Sequence, residues 1–124
     1  MPTSYRVAVI GHTGRGNYGH GVDTVWLELP HCEIVGVADA DPQGLAAAVT
    51  RLAAPKGFAD YRQMLDEAKP DIVAIGPRWL DQHRDMVLEA AQRGMHIYME
   101  KPMCRTLKEA DEMVAACNEH GIKL

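Results

Sequence analysis

The sequence is poor in cysteine and in long apolar runs, and these two shortages exclude several classes of protein. Three cysteines, none close to another along the chain, provide neither a disulfide framework nor the ligand spacing of a zinc site. No apolar run approaches the roughly 20 residues that span a bilayer, and the run after Arg6 is too short for a signal peptide. We therefore expect a cytoplasmic protein with reduced thiols, no metal and no membrane partner.

Positive charge is not in excess either. Lysine and arginine number 13 against 17 acidic residues, which leaves a net charge of −4, and the basic residues are scattered. This distribution lacks the basic face by which proteins bind nucleic acid, so no nucleic-acid partner is expected. The remaining composition, 47% hydrophobic and 24% charged over 124 residues, is that of one ordinary globular domain covering residues 1–124.

Short apolar runs rich in β-branched residues recur along the chain. Runs of this kind predict strands that are buried on both faces of a sheet. They cover residues 6–10, 33–38, 71–75 and 96–99, with a very short strand at 57–59. Residues 121–124 stand where one more strand would begin, so we expect the sheet to lack its last strand or strands.

Helix signals lie between these strands. Asp41-Pro42 and Thr106 are typical helix starts, and Gly121 is a typical helix end. The expected helices cover residues 23–29, 44–53, 60–68, 80–93 and 107–120. In the last helix one apolar stripe is expected to face the core: Leu107, Ala110, Val114 and Cys117. The alternation of strands and helices predicts an α/β fold with a doubly wound parallel sheet in three α/β/α layers.

A glycine-rich segment, Gly11–Gly21, follows the first strand directly. Glycines at a strand-to-helix turn permit positive φ angles and let backbone N–H groups approach a pyrophosphate, which favours a dinucleotide over a turn without a ligand. Counted from the strand end, Gly11 and Gly16 take the first and third glycine places. The literal glycine spacing begins only at Gly14. We adopt the first register, which predicts five cofactor contacts: Gly11, Thr13, Gly14, Arg15 and Gly16.

Asp39 follows the second strand. An acidic residue at this place in a dinucleotide fold accepts hydrogen bonds from the adenosine ribose, although an ordinary strand-end carboxylate is the alternative. No arginine stands beside Asp39 to receive a 2′-phosphate, so NAD is favoured over NADP. Arg15 is the main argument for NADP. The two features together predict a dinucleotide-binding domain of the Rossmann type.

Two further motifs follow later strands and extend this pattern. Gly76-Pro77 comes after the fourth strand, with His83 shortly beyond, and Glu100-Lys101-Pro102 comes after the fifth. In this order, and together with the glycine segment and Asp39, they make the chain similar to the Gfo/Idh/MocA family, which is named for glucose–fructose oxidoreductase and inositol dehydrogenase. The resemblance covers essentially the whole chain and implies the NAD(P)-binding Rossmann domain of an oxidoreductase.

The resemblance also implies roles for single residues. It makes Lys101 a catalytic residue that lies at the nicotinamide and contacts the substrate hydroxyl. An ammonium group there orients the reacting oxygen, stabilises developing charge and helps to move a proton. Glu100 and the segment Gly76, Pro77 and Arg78 are implied to line the cofactor cleft. A cis peptide bond is expected before Pro102.

Four aromatic or imidazole side chains have more than one interpretation. Trp79 either packs on the cofactor or belongs to the core. His83 is a candidate catalytic acid because imidazole titrates near neutrality, although a histidine at a helix start is more often structural. His12 and His20 share the glycine segment, but we expect no metal there.

Members of the family carry a second, larger domain that supplies most of the substrate pocket. Such a domain does not fit within 124 residues, so we expect the chain to be a fragment of a longer enzyme. That enzyme would transfer a hydride between nicotinamide and a hydroxyl-bearing carbon of a sugar or cyclitol, and would oligomerise, if at all, through the second domain. The alternative is a non-catalytic nucleotide-binding module or sensor. For the chain alone we expect weak NAD binding and no turnover.

Overall fold

A computed structural model describes residues 4–124, in which five strands form one parallel sheet. The sheet order is β3-β2-β1-β4-β5, and all neighbouring strands run parallel. The strands are β1 (Tyr5–Ile10), β2 (Cys32–Ala38), β3 (Gly57–Phe58), β4 (Ile72–Ile75) and β5 (His96–Met99). The predicted α/β class, the strand positions and the parallel arrangement are thereby confirmed.

Four α-helices connect or follow the strands. They are α1 (Pro42–Leu52), α2 (Tyr61–Ala68), α3 (His83–Ala91) and α4 (Leu107–His120). The predicted caps are confirmed, since Asp41 accepts a hydrogen bond from the Gly44 N–H and Thr106 accepts one from the Glu109 N–H. Within residues 4–124, no helix is both long enough and apolar enough to cross a bilayer.

The first connection, between β1 and β2, differs from the prediction. The expected α-helix over residues 23–29 is wrong, because this stretch holds only a four-residue 3-10 helix, Val25–Glu28. Gly19 and Gly21 have φ angles of 69° and 75°, which an α-helix cannot contain, so no helix can begin before residue 22. Leu29 is already extended before Pro30, as a residue preceding proline tends to be. Between these limits the Leu27 and Leu29 N–H groups donate to the carbonyl oxygens three residues earlier, Thr24 and Trp26, which is the 3-10 pattern and not the α-helical one.

The sheet separates two apolar layers, as the three-layer prediction requires. On one face, Ala8 and Ile10 of β1 pack with residues of α2, α3 and α4. On the other face, Val7 and Val9 pack with α1 and with side chains of the first connection. Those side chains, Tyr18, Val22 and Trp26, are buried and fill the place of the missing helix. Each such burial stabilises the fold by about 1.5–3 kcal/mol.

Helices α3 and α4 also depart from the expected pattern. The α-helical part of α3 is shorter than 80–93, because residues Leu80–Gln82 form a 3-10 helix before it. Two of the four residues predicted for the apolar stripe of α4 are wrong, because Leu107 is 85% exposed and Val114 is also exposed, whereas Cys117 is buried as predicted. The buried side of α4 is instead formed by Glu109, Met113 and Cys117. The helix is turned so that Met113 packs into the core.

Candidate cofactor site

The residues predicted for the site meet at one edge of the sheet. Gly11, Asp39, Gly76 and Glu100 each come directly after a strand, or within one residue of it, at the carboxyl ends of β1, β2, β4 and β5. From β1 the sheet continues through β2 on one side and through β4 on the other. Open α/β sheets bind their ligands at such a switch point, outside the carboxyl ends of the strands.

The glycine segment lies across this edge and contacts the chain itself. A Cβ atom at Gly11 would collide with the ring of Tyr18, and one at Gly19 would lie 2.6 Å from the carbonyl oxygen of Gly76. Gly16 is packed against the backbone of Arg78 with a φ of 92°. The glycines therefore allow this segment to approach the neighbouring strand ends closely, in addition to forming the turn.

Several contacts join the glycine segment to the residues after β4. The Arg78 N–H donates to the carbonyl oxygen of Gly16 at 3.1 Å. The Arg15 guanidinium pairs with Asp81 at 2.7 Å, and its hydrogen bond lowers the pKa of that carboxyl. Arg15 also lies 4.6 Å from the ring centre of Trp79. Trp79 is 49% exposed, so it is not a core residue.

Asp39 is the most heavily bonded side chain of the site. Its carboxylate is buried and accepts from the Thr13 hydroxyl at 2.6 Å, the Tyr18 hydroxyl at 2.8 Å, the Asp41 N–H at 2.9 Å and the Thr13 N–H at 3.1 Å. Burial alone would raise the pKa of Asp39, but the hydrogen bonds from Thr13, Asp41 and Tyr18 lower it below its usual value. The carboxylate is therefore ionised at neutral pH and holds the glycine segment at Thr13 and at Tyr18.

Glu100 plays a similar part at the end of β5. Its buried carboxylate accepts from the His20 N–H, lies 3.2 Å from the His20 ring nitrogen, and accepts from the Lys101 N–H at 3.1 Å. Burial opposes ionisation, but the bonds to His20 and Lys101 lower the pKa of Glu100. The Lys101 side chain is exposed, and the expected cis bond before Pro102 is confirmed.

His83 lies inside the fold rather than on the cleft surface. Its ring is fully buried, with Nε2 2.6 Å from the Pro77 carbonyl oxygen and Nδ1 3.0 Å and 3.1 Å from those of Pro102 and Met103. The imidazole thereby ties the segment after β4 to the segment after β5. A proton donor must reach its substrate, so this burial favours the structural alternative for His83.

The cleft next to the site is smaller than a cavity that lies elsewhere on the sheet. A cleft of about 160 Å³ opens at the carboxyl ends of β1 and β2, between Gly11, Asp39, Asp60 and Tyr61. A cavity of about 700 Å³ lies at the amino ends of the strands, next to Asp71 and other residues near the strand starts. Of the residues predicted for the site, Gly11 and Asp39 line the smaller cleft. Among residues 4–124, no three His, Cys, Asp or Glu side chains are grouped to hold a metal.

Sequence reasoning missed two side chains of this arrangement. Tyr18 and His20 bind the two buried carboxylates, Asp39 and Glu100. The only feature of the sequence that pointed to Tyr18 and His20 was their place inside the glycine segment. That place alone does not show which carboxylates they bind. Both contacts join residues that are far apart along the chain.

Comparison with known proteins gives a consistent result. Residues 5–124 match the Gfo/Idh/MocA family, described as an oxidoreductase family with an NAD-binding Rossmann fold. D-apiose dehydrogenase of Paraburkholderia graminis is 35% identical over 99 residues, covering 80% of this chain and 26% of that enzyme. The scyllo-inositol 2-dehydrogenase (NAD(+)) of Bacillus subtilis is 31% identical over 124 residues, covering 98% of this chain and 35% of that enzyme.

A solved structure shares the fold over the full chain. An oxidoreductase from Desulfitobacterium hafniense, described as putative and NADPH-dependent, superposes with a TM-score of 0.84 at 24% identity, covering 100% of this chain and 35% of that one. The chain thus spans between about a quarter and about a third of the relatives named here, 26% in one case and 35% in the others. The match over residues 5–124 assigns the chain to the Gfo/Idh/MocA family of oxidoreductases, as its NAD-binding Rossmann domain.

Proposed function

We propose that this domain binds NAD(H) and serves a dehydrogenase that transfers a hydride to or from a hydroxyl-bearing carbon of a sugar or cyclitol. The observation that carries the proposal is the position of Asp39 and Lys101 beyond strands on opposite sides of the β1–β4 switch point. A dinucleotide lies across such a point, with its adenosine at one side and its nicotinamide at the other. The named activities of the D-apiose and scyllo-inositol enzymes support the substrate class.

The residues of the site fit the adenosine end of NAD. The cleft beside Asp39 is open, and its charged lining residues are Asp39 and Asp60; His12 also lines it. Two carboxyl groups favour a ribose hydroxyl over a 2′-phosphate, which supports NAD over NADP. Arg15, the residue that would favour NADP, is paired with Asp81. At the diphosphate end the glycine segment rests on Gly76 and Arg78, so it would have to withdraw to admit the phosphates.

Lys101 is the residue to which we assign the chemistry. When bound, NAD would supply the group that accepts or gives the hydride. The exposed ammonium of Lys101 would hold the substrate oxygen and stabilise the negative charge that develops on it. Glu100 anchors the Lys101 backbone, and His83 joins the following residues to Pro77, so the base of this side chain is held firmly.

Isothermal calorimetry of the 124-residue chain with NAD⁺ tests the proposed function. We expect weak but saturable binding, because the domain carries the adenosine end of the site while most of the relatives' length is absent. ADP-ribose, which lacks the nicotinamide, should bind with similar affinity, and inorganic phosphate should not compete at equal concentration. No binding of either nucleotide at millimolar concentration would contradict the proposal.

A non-catalytic nucleotide-binding module is the second candidate. The observation that favours it is the closed glycine segment, which bonds to Asp39, Arg78 and Glu100 rather than leaving them open. A sensing module responds to its nucleotide by a change of shape, and release of this segment would be such a change. The two candidates differ in what they require of Lys101, because only the dehydrogenase depends on its ammonium group.

A further inference from the structure

We propose that Tyr18 sets the affinity and the specificity of the domain for NAD by competing with the adenosine ribose for the carboxylate of Asp39. The inference rests on the proposed function, since it concerns the same cofactor. The inference goes beyond the proposed function because it assigns a role to Tyr18. This residue lies inside the glycine segment and is neither one of its predicted cofactor contacts nor a residue at a strand end.

The acceptor capacity of Asp39 is already filled. An ionised carboxylate offers about four lone-pair sites, and four donors occupy them: the Thr13 N–H and hydroxyl, the Asp41 N–H and the Tyr18 hydroxyl. The residue is only 1% exposed. A ribose hydroxyl can therefore bind Asp39 only if one of these donors gives up its place.

Tyr18 is the donor that can leave with the least change elsewhere. The Asp41 N–H is fixed at the start of α1, where Asp41 caps the helix by accepting from Gly44. Thr13 binds through two donors at once and is packed against Gly44. Tyr18 contributes a single hydroxyl, and within residues 4–124 its one hydrogen bond is to Asp39.

The ring of Tyr18 is held independently of its hydroxyl. It packs against Gly11, lies 4.8 Å from the Arg51 guanidinium and is largely buried among apolar side chains of the α1 layer. Burial and the bond to Asp39 both raise the pKa of Tyr18, so the hydroxyl remains a donor throughout the neutral range. A phenylalanine fits the same space and removes only the competing donor.

The competition acts more strongly on NAD than on NADP. The 2′-hydroxyl of NAD can donate to Asp39, whereas the 2′-phosphate of NADP has no comparable donor and is repelled by a carboxylate. NADP keeps the 3′-hydroxyl of the same ribose, but its 2′-phosphate is repelled by the carboxylate. Loss of the Tyr18 hydroxyl therefore opens a site that favours NAD. The ratio of the two affinities should change, which a merely structural role of Tyr18 would not produce.

Calorimetry of Tyr18→Phe in the 124-residue chain tests this inference. We expect the Kd for NAD⁺ to fall about tenfold, the effect of one additional hydrogen bond to a charged acceptor. The Kd for NADP⁺ should stay unchanged or rise. Tyr98→Phe is the matched control, because Tyr98 is 53% exposed on β5, and it should leave both values unchanged.

The outcomes separate this inference from the proposed function. Saturable NAD⁺ binding by the wild type with an unchanged or weaker Kd in folded Tyr18→Phe overturns the role of Tyr18 alone. Absence of NAD⁺ binding in the wild type overturns both. If Tyr18→Phe does not fold, wild-type chain labelled with ¹³C in the tyrosine rings gives the answer: the Tyr18 ζ-carbon resonance must shift on NAD⁺ saturation, and a fixed resonance overturns the inference.

Discussion

The carboxylate of Asp39 is buried yet ionised, because four hydrogen-bond donors replace the water that it loses on folding. Its partners explain why its role exceeds that of a ribose ligand. It joins Thr13 and Tyr18, near the two ends of the glycine segment, to the start of α1 at Asp41. The same group therefore stabilises the fold and, in our proposal, receives the cofactor.

Asp39 should make the stability of the chain depend on pH in the acid range. Its pKa is lower in the folded chain than in the unfolded one, so its contribution is complete above the ordinary aspartate pKa of about 3.9. The contribution is lost as the pH falls through the lower folded value. We expect the difference in unfolding free energy between the wild type and Asp39→Asn to shrink below about pH 4.

Urea unfolding of both proteins over a series of pH values measures this difference. Asp111→Asn, an exposed position on α4, controls for the loss of one negative charge. A gap between the wild type and Asp39→Asn that stays constant down to the acid limit would mean that Asp39 is not the group that titrates.

At the scale of elements, the strands could be predicted because each is a continuous apolar run between turn residues. The first connection could not, since its shape depends on left-handed glycines and on buried aromatic side chains that pack across the sheet. The prediction of which side of α4 is buried was wrong for a related reason. Its sequence holds two overlapping apolar stripes, and packing against α3 and the sheet selects the one with Met113 rather than the one with Leu107.

The same limit applies to the candidate site. Strand ends bring Gly11, Asp39 and Lys101 to one edge, and this follows from the parallel sheet alone. The bonds that saturate Asp39 and Glu100 do not follow, because Tyr18 and His20 reach them only after the glycine segment has folded back. Hydrogen bonds between residues that are distant along the chain leave no periodic signal.

Two glycines of the segment allow its closed shape to be tested. Gly14 and Gly16 have φ angles of 84° and 92°, so alanine at either position is strained by about 1–2 kcal/mol. A Cβ at Gly14 meets no atom within 4 Å, whereas one at Gly16 would collide with the backbone at Arg78 and lie 2.6 Å from the Trp79 nitrogen. Gly16→Ala should therefore lower the unfolding free energy by clearly more than Gly14→Ala.

Chemical denaturation of the two variants under identical conditions gives the comparison. Gly14→Ala is the matched control, because it shares the backbone strain and lacks the steric conflict. Equal losses of stability would show that the glycine segment does not rest on the residues after β4 in solution.

At the scale of the whole molecule, residues 5–124 form the NAD-binding Rossmann domain of the family. The D-apiose and scyllo-inositol enzymes are each about three times as long as this chain, and the matched residues cover 26% and 35% of them. The candidate cofactor site is exposed at one end, around Lys101. Its remaining segments are held to one another by hydrogen bonds of three buried side chains, Asp39, Glu100 and His83. In our proposal this domain binds the cofactor, and a second surface would hold the substrate.

Lys101 should separate turnover from cofactor binding in the protein that contains both surfaces. Positioned proton transfer and charge stabilisation each contribute about 10²–10³-fold or more to a rate, so Lys101→Ala should lower kcat by at least two orders of magnitude. The Kd for NAD⁺ should change little, because our proposal places the adenosine end at β2, on the far side of β1 from Lys101. Lys108→Ala, at an exposed position on α4, is the control and should keep both values.

The assay follows NADH formation with scyllo-inositol as the first probe alcohol, and NAD⁺ binding is measured on the same preparations. A large loss of kcat with retained NAD⁺ binding supports the dehydrogenase and argues against a sensing module. If Lys101→Ala turns over as fast as the wild type, the ammonium is not at the reacting oxygen. Another group must then handle the proton, and that group is not His83, whose ring is fully buried.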